Sequence, residues 1–318
     1  MPAMTSLLLL PILLLSIALI LHSSLASQDL VFTQYSSQGE LKQLSYASAA
    51  IQRSLPLIAF VHKHEHEDDE DDGHDVVVCY RVRRRVNHKL QVEQDDSCFE
   101  RPIGSNHDQL LVTSLGYIPD CHSSALYANT LIQSHKLSFG ECPSPRTLAV
   151  KLSRWLTRGL HRGGGEEEED GSPVARPMAC SMILLQPGQS AITHIANTGV
   201  VVARKTLSLG AISREVRAEI EDALKLPALA AKVEAVARSL LRSEENQGGN
   251  KGDGDVMLEM AVLTSQTRDH GDDEEGEEDM KSSIHTLNAI SSPEKAVEFV
   301  RSCLQATIYS DSEHRRQI

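Results

Sequence analysis

The sequence predicts an α+β fold, a layered sandwich with sheets inside and helices outside. Three observations lead there. Strand-like and helix-like blocks alternate in groups: a helix, strands, a helix pair, strands, a helix pair, strands and a closing helix. Hydrophobic residues make up 41% of the 318 residues, enough for a sizeable core. The acidity is segregated from these blocks. Residues 62–75, 166–170 and 269–279 hold 8, 5 and 8 acids, which is 21 of the 44 Asp+Glu in a chain of formal net charge −13. The remainder carries 30 basic and 23 acidic residues, a surplus of +7. The acidic runs cannot bury apolar surface and read as solvated inserts. The net charge is therefore a poor guide to partners.

Taken in order, residues 7–21 (LLLLPILLLSIALIL) and the following Ser24-Leu25-Ala26 read as a secretory leader cleaved after Ala26. Residues 1–27 are assigned to it and 28–306 to the folded domain. Inserts are placed at 62–75, 163–173 and 243–255/268–282, with a polar tail at 307–318. Residues 36–52 put Leu41, Leu44, Ala47, Ala50 and Ile51 on one helical face. Residues 56–62 and 76–82 are β-branched and apolar, a hairpin whose turn holds the first insert. Residues 109–114 read as a strand. A helix begins at Pro119-Asp120, with Leu126 and Ile132 as core positions. A second runs from Ser144, with Pro145 in its first turn and Leu148, Leu152, Trp155 and Leu156 facing in. Strands follow at 180–185, 191–195 and 199–207. Residues 212–242 are helical with a break at Pro227. Strands at 256–264 and 284–290 flank the last insert, and a helix from Pro293 closes the domain.

Several chemistries are weighed and set aside. Cys79, Cys98, Cys121, Cys142, Cys180 and Cys303 contain no CxxC pair and match no zinc framework, so buried thiols are expected. His62, His64, His66 and His74 lie among carboxylates, but spacing without rigidity gives poor ligand geometry, and no metal or other cofactor is expected. Arg81-Val82-Arg83-Arg84-Arg85 has no interleaved aromatics, so nucleic acid is not expected.

A set of ordered motifs resembles the alpha-type subunits of the proteasome. Tyr35-Ser36-Ser37-Gln38-Gly39-Glu40-Leu41 followed by Gln43-Leu44-Ser45-Tyr46-Ala47 is similar to that family's N-terminal turn and helix. Gly116-Tyr117-Ile118-Pro119-Asp120 resembles its strand-to-helix junction. Arg176-Pro177 with Ser181-Met182-Ile183-Leu184-Leu185 resembles its Arg-Pro strand. Thr198-Gly199 and Arg204-Lys205-Thr206-Leu207-Ser208-Leu209-Gly210 resemble a later turn and strand. The family's turn proline is Ser37 here, its Phe-Gly is Met178-Ala179, and its Tyr-Asp-Arg gate element keeps only Asp29.

The resemblance implies a four-layer αββα sandwich of the N-terminal-nucleophile hydrolase type. It also implies a non-catalytic subunit that builds the outer ring and gate. The implied partners are other alpha-type subunits in a seven-membered ring, beta-type subunits and activator C-termini. Asp29, Tyr35 and Gly39 fall in the gate and N-terminal turn. Leu41, Leu44, Tyr46 and Ile51 fall at the subunit interface. Arg101 falls at the activator pocket, and Gly116, Asp120, Arg176, Pro177, Gly199, Lys205 and Gly210 in structural motifs, with ion pairs expected for Arg176 and Lys205. The nucleophile of catalytic relatives lines up near Ser54-Leu55-Pro56, behind a helix and with no free amine, so no catalytic residue is assigned. A Ser27 amine exposed by leader cleavage lies far upstream. Two other classes remain: a solitary scaffold that kept the fold, and an active hydrolase. The family implies cytoplasm and nucleus, whereas the leader implies entry to the endoplasmic reticulum.

Overall fold

The computed structural model describes residues 35–63, 75–84, 99–100, 110–161, 176–247, 256–266 and 281–314. The leader, Asp29, Arg101, His64, His66, His74, Cys98 and most of the acidic inserts lie outside these residues.

The protein is a mixed α+β fold with two antiparallel five-stranded sheets and, among the described residues, six helices. Helix α1 (Lys42–Gln52) precedes strands β1 (Leu57–Lys63) and β2 (Asp75–Arg84), the short β3 (Phe99–Glu100) and β4 (Leu111–Gly116). Helices α2 (Ile118–Phe139) and α3 (Pro145–His161) follow. Then come β5 (Cys180–Leu185), β6 (Ile192–Ile195), β7 (Val201–Arg204) and β8 (Thr206–Leu209). Helices α4 (Arg214–Ala223) and α5 (Leu229–Gln247), strands β9 (Val256–Gln266) and β10 (Lys281–Ile290), and α6 (Pro293–His314) complete the order. One sheet runs β10-β9-β2-β1-β8 and the other β3-β4-β5-β6-β7.

Strand alternation sorts the core into three clusters. From the first sheet, Ile58, Phe60, Val78 and Tyr80 point to α4, α5 and α6, meeting Ile220, Val233, Val236 and Val300. Their neighbours Leu57, Ala59, Val77 and Cys79 point the other way, onto Leu111, Leu115, Ile183 and Leu185 of the second sheet. Val112, Met182 and Leu184 then face α2 and α3 through Ala128, Ile132, Leu148 and Leu152. The period-2 pattern of each strand thus fixes which side chains meet helices and which meet the opposite sheet.

Four expectations are corrected. The helix expected from residue 36 begins at Lys42. Ser36 Oγ accepts from the Gln38 and Glu40 amides at 3.2 and 3.1 Å, which draws the chain into a closed turn. Gly39, at φ +81°, completes it. Leu126 is 53% exposed, because the buried stripe of α2 runs through Cys121, Ser124, Ala125, Ala128 and Ile132 and leaves Leu126 off that face. Residues 199–207 are not one strand. β7 pairs with β6 in one sheet, whereas β8 pairs with β1 in the other, and the chain changes sheets at Lys205. There the Lys205 carbonyl accepts from the Val61 amide at 2.9 Å. Lastly, the final helix extends past residue 306 to His314.

The break at Pro227 and the start at Ser144 match the sequence. Ser213 caps α4 by accepting from the Val216 amide at 3.2 Å, and Ser144 does the same for Thr147 at 3.2 Å. Tyr127 of α2 stacks on Trp155 of α3, with ring centroids 4.9 Å apart.

Two of the acidic runs join strands already paired at their ends. Lys63 lies opposite Asp75, and Gln266 opposite Lys281. Replacing residues 64–74 or 267–280 with Asn-Gly suits a two-residue hairpin. Each replacement is expected to change stability by no more than about 1–2 kcal/mol, in the stabilising direction, since closure entropy varies only with the logarithm of length. Urea unfolding checks this. A collapse of folding would show that the replaced residues contact the core.

Candidate functional site

Two places concentrate the residues singled out by the sequence. The first is the start of β1. Near the end of helix α1, Ile51, 8% exposed, is inserted among Leu57, Leu111 and Leu115 between the sheets. The Arg53 amide returns to the Ala49 carbonyl at 3.1 Å, and the Ser54 hydroxyl donates to the Ile51 carbonyl. Beyond Ser54, the chain is closed over by the end of β8. Gly210 has φ +90°, and a Cβ there would lie 2.7 Å from the Leu55 carbonyl oxygen. Next to it, the Ala211 amide donates to the Ser54 carbonyl at 2.8 Å. Leu55 packs against the core under α4 and α5. Leu55 itself has no nucleophilic atom.

Polar side chains do gather deeper between the sheets. Arg81 lies opposite Leu57 on one side and Glu259 on the other, and Glu259 is 1% exposed. Arg81 Nη1 donates across to the Ser114 carbonyl of the second sheet at 2.9 Å. Arg81, half-buried, therefore turns from the basic stretch toward the second sheet. Further along, Ser181 Oγ and His194 Nε2 lie 2.6 Å apart, and Ser181 also donates to the Ile195 carbonyl at 3.1 Å. Burial, aided by the charge of Arg204, pushes His194 down to about 4, so its ring is neutral at pH 7. Serine and histidine here tie β5 to β6. Sequence reading missed both arrangements. Alternation past Cys79 and Ala261 could have turned Arg81 and Glu259 inward, whereas the Ser181–His194 contact needs the β5–β6 register.

The second place is the junction of β4, α2 and β5. Asp120 sits in the first turn of α2 and is 6% exposed. Arg176 approaches it with both ends of its guanidinium: Nη1 donates to Oδ2 at 2.6 Å and Nη2 to Oδ1 at 2.7 Å. The Ala179 amide also donates to Oδ2, at 2.8 Å. The hydrogen-bonded Asp120 carboxylate raises the already high pKa of Arg176. Arg176 also lies over the Tyr117 ring, 5.4 Å from its centroid. Pro177 is buried beside it, and its carbonyl accepts from Arg176 Nη1 at 3.2 Å. Gly116 completes the junction. At φ +139° it lets the Tyr117 amide reach the Ala179 carbonyl at 2.8 Å. The structure thus brings together Gly116, Asp120, Arg176 and Pro177. A carboxylate ringed by three donors at a helix start is a fastening between strand and helix.

The remaining residues are dispersed. Gly199, at φ +82°, turns under α3, with Ser153 Oγ donating to its carbonyl at 2.6 Å. The adjoining Asn197 reaches α1 through Ser48 at 3.1 Å. Lys205 is exposed, and no ion pair joins it to a carboxylate among the described residues, contrary to expectation. The position contributes through its carbonyl instead. Leu41 and Leu44 are half-buried, Tyr35 is 65% exposed and Tyr46 56% exposed. Of the histidines in the first acidic run only His62 is described, and its Nδ1 lies 3.2 Å from Lys232 Nζ. Among the described residues no three His, Cys, Asp or Glu side chains cluster as metal ligands, and no helix is long and apolar enough to cross a membrane.

No family model and no curated protein matches this chain.

Proposed function

We propose that the chain is a non-catalytic alpha-type subunit of a proteasome-like core particle, with the αββα sandwich of the N-terminal-nucleophile type. It would build the outer ring and gate with sister subunits in a seven-membered ring and stack on beta-type subunits. Ala49-Ala50-Ile51 with Pro56, and the Pro119-Asp120 pair, lean toward the type-2 member of the family. The observation that carries the reading is the start of β1. A helix precedes the strand, the resemblance puts the nucleophile's place near Ser54-Leu55-Pro56, and Gly210 and Ala211 close over the backbone of Ser54 and Leu55. The same helix leaves Tyr46 outside while Ile51 anchors it within. That geometry suits a helix that fixes itself to its own subunit by one face and presents an aromatic to a neighbour.

Co-expression with alpha- and beta-type subunits, followed by sedimentation, tests the reading. Co-purification in a ring-sized particle is expected, with no labelling by a covalent N-terminal-nucleophile probe. A chain that stays monomeric at high concentration and binds neither subunit type would favour the solitary scaffold. Probe labelling would favour the hydrolase. Within the assembly, Tyr46→Ala is expected to weaken ring formation by about 1–3 kcal/mol, as an exposed aromatic anchor would. Its own unfolding midpoint should stay close to wild type. Sedimentation beside thermal unfolding separates the two effects, and equal losses in both would place Tyr46 in the fold rather than the interface.

A further inference from the structure

The six cysteines form no spacing motif, yet two of them share one core cluster. Cys121 lies in the first turn of α2, where its amide donates to the Tyr117 carbonyl at 3.0 Å. Cys180 opens β5, directly opposite Gly116 in the ladder. The junction already described holds these two segments together, since the Tyr117 amide meets the Ala179 carbonyl and the Ala179 amide meets Asp120. Both thiols are free, and both belong to one packed core cluster under α2 and α3. Cys121 is 8% exposed and Cys180 fully buried.

We propose that Cys121 and Cys180 form a reversible dithiol–disulfide site, oxidised by a small hydroperoxide, that locks the start of α2 to β5. The two thiols are unlike. The hydrogen bond from Cys180, with others from Ser114 and the charge of Arg81, outweighs burial and Asp120 and holds Cys121 below the ordinary thiol value. The same bond and burial hold Cys180 well above it. Cys121 therefore ionises first, and of the two it is the one that keeps some exposure. Cys79 and Cys303 are opposite cases, raised by burial to about 12 and about 11.

The chemistry balances in two steps. The Cys121 thiolate attacks one peroxide oxygen, an S–O bond forms, the O–O bond breaks, and the departing hydroxide takes a proton to become water. Cys180 Sγ then attacks Cys121 Sγ. The S–S bond forms, the S–O bond breaks, and the Cys180 proton leaves with the hydroxide as a second water. Two thiols lose two electrons, and hydrogen peroxide gains them. A dithiol reductant reverses the change.

The experiment uses the full reduced chain, treated with hydrogen peroxide, then denatured, alkylated and mapped without reduction. A linked peptide pair containing Cys121 and Cys180 is expected, with loss of two alkylation sites that dithiothreitol restores. The oxidised protein should unfold about 5 °C higher, since the link closes a long loop. In Cys180→Ala the link is lost, and Cys121 should instead be trapped as a sulfenic acid by dimedone, with Cys79 unlabelled as the internal control. The proposal is overturned if wild-type Cys121 passes to sulfinic acid without a link. It is equally overturned if the link joins other cysteines, or if both thiols stay fully alkylatable.

Discussion

Gly116→Ala is expected to destabilise the protein by about 3–5 kcal/mol, because two costs fall on one atom. The backbone at φ +139° disfavours any Cβ. The Cβ itself would lie 2.1 Å from the Ala179 carbonyl oxygen, 3.0 Å from its carbon and 3.1 Å from Cys180 Cα. All three are backbone atoms of the partner strand, so no side chain can swing aside. Relief requires parting β4 from β5 at the last ladder position, where the Tyr117 amide meets Ala179. Gly39→Ala supplies the control. Its φ of +81° is also left-handed, but no atom lies within 4 Å of the added Cβ, so about 1 kcal/mol is expected. Thermal and urea unfolding of both variants measure the difference. Equal losses would show that conformation alone, and not the approach of β5, makes Gly116 necessary.

How much of this was legible beforehand depends on the range of the contact. The start and core face of helix α3 were readable, because Ser144, Pro145, Leu148, Leu152, Trp155 and Leu156 signal locally through a cap and a 3.6-residue period. Leu126 was misjudged because α2 is apolar on more than one face. Small residues such as Ala125 and Ala128 pack inward, while Leu126, Leu137 and Phe139 stay outside. The change of sheets at Lys205 carries no local mark, since neither glycine nor proline separates β7 from β8. The junction was visible only as its parts. Asp120 and Arg176 stood in motifs 56 residues apart, but their meeting depends on β4 and β5 lying side by side. The placing of Cys121 and Cys180 in one cluster has the same origin, which is why cysteine spacing could not reveal it.

Asp120→Ala is the second large effect, expected at about 3 kcal/mol, and its variants separate charge from connectivity. The carboxylate is 8% exposed as a side chain, whereas Arg176 is 45% exposed. Truncating Asp120 releases Arg176 to water, so the cation itself adds little cost. The loss comes from the fork of charge-assisted bonds and from the Ala179 amide, a buried donor left without its acceptor. It also removes a negative charge from the start of α2, where the helix dipole favours one and no side chain caps the first turn. Asp120→Asn keeps one acceptor oxygen but turns an amide NH2 toward a remaining donor, so about half the loss is expected. Arg176→Ala leaves the carboxylate buried with the Ala179 amide still bound, and should fall between the two. Unfolding free energies of the three variants, with hydrogen exchange at the Ala179 amide, test the order. A protected Ala179 amide in Asp120→Ala would mean that another group holds the strand to the helix.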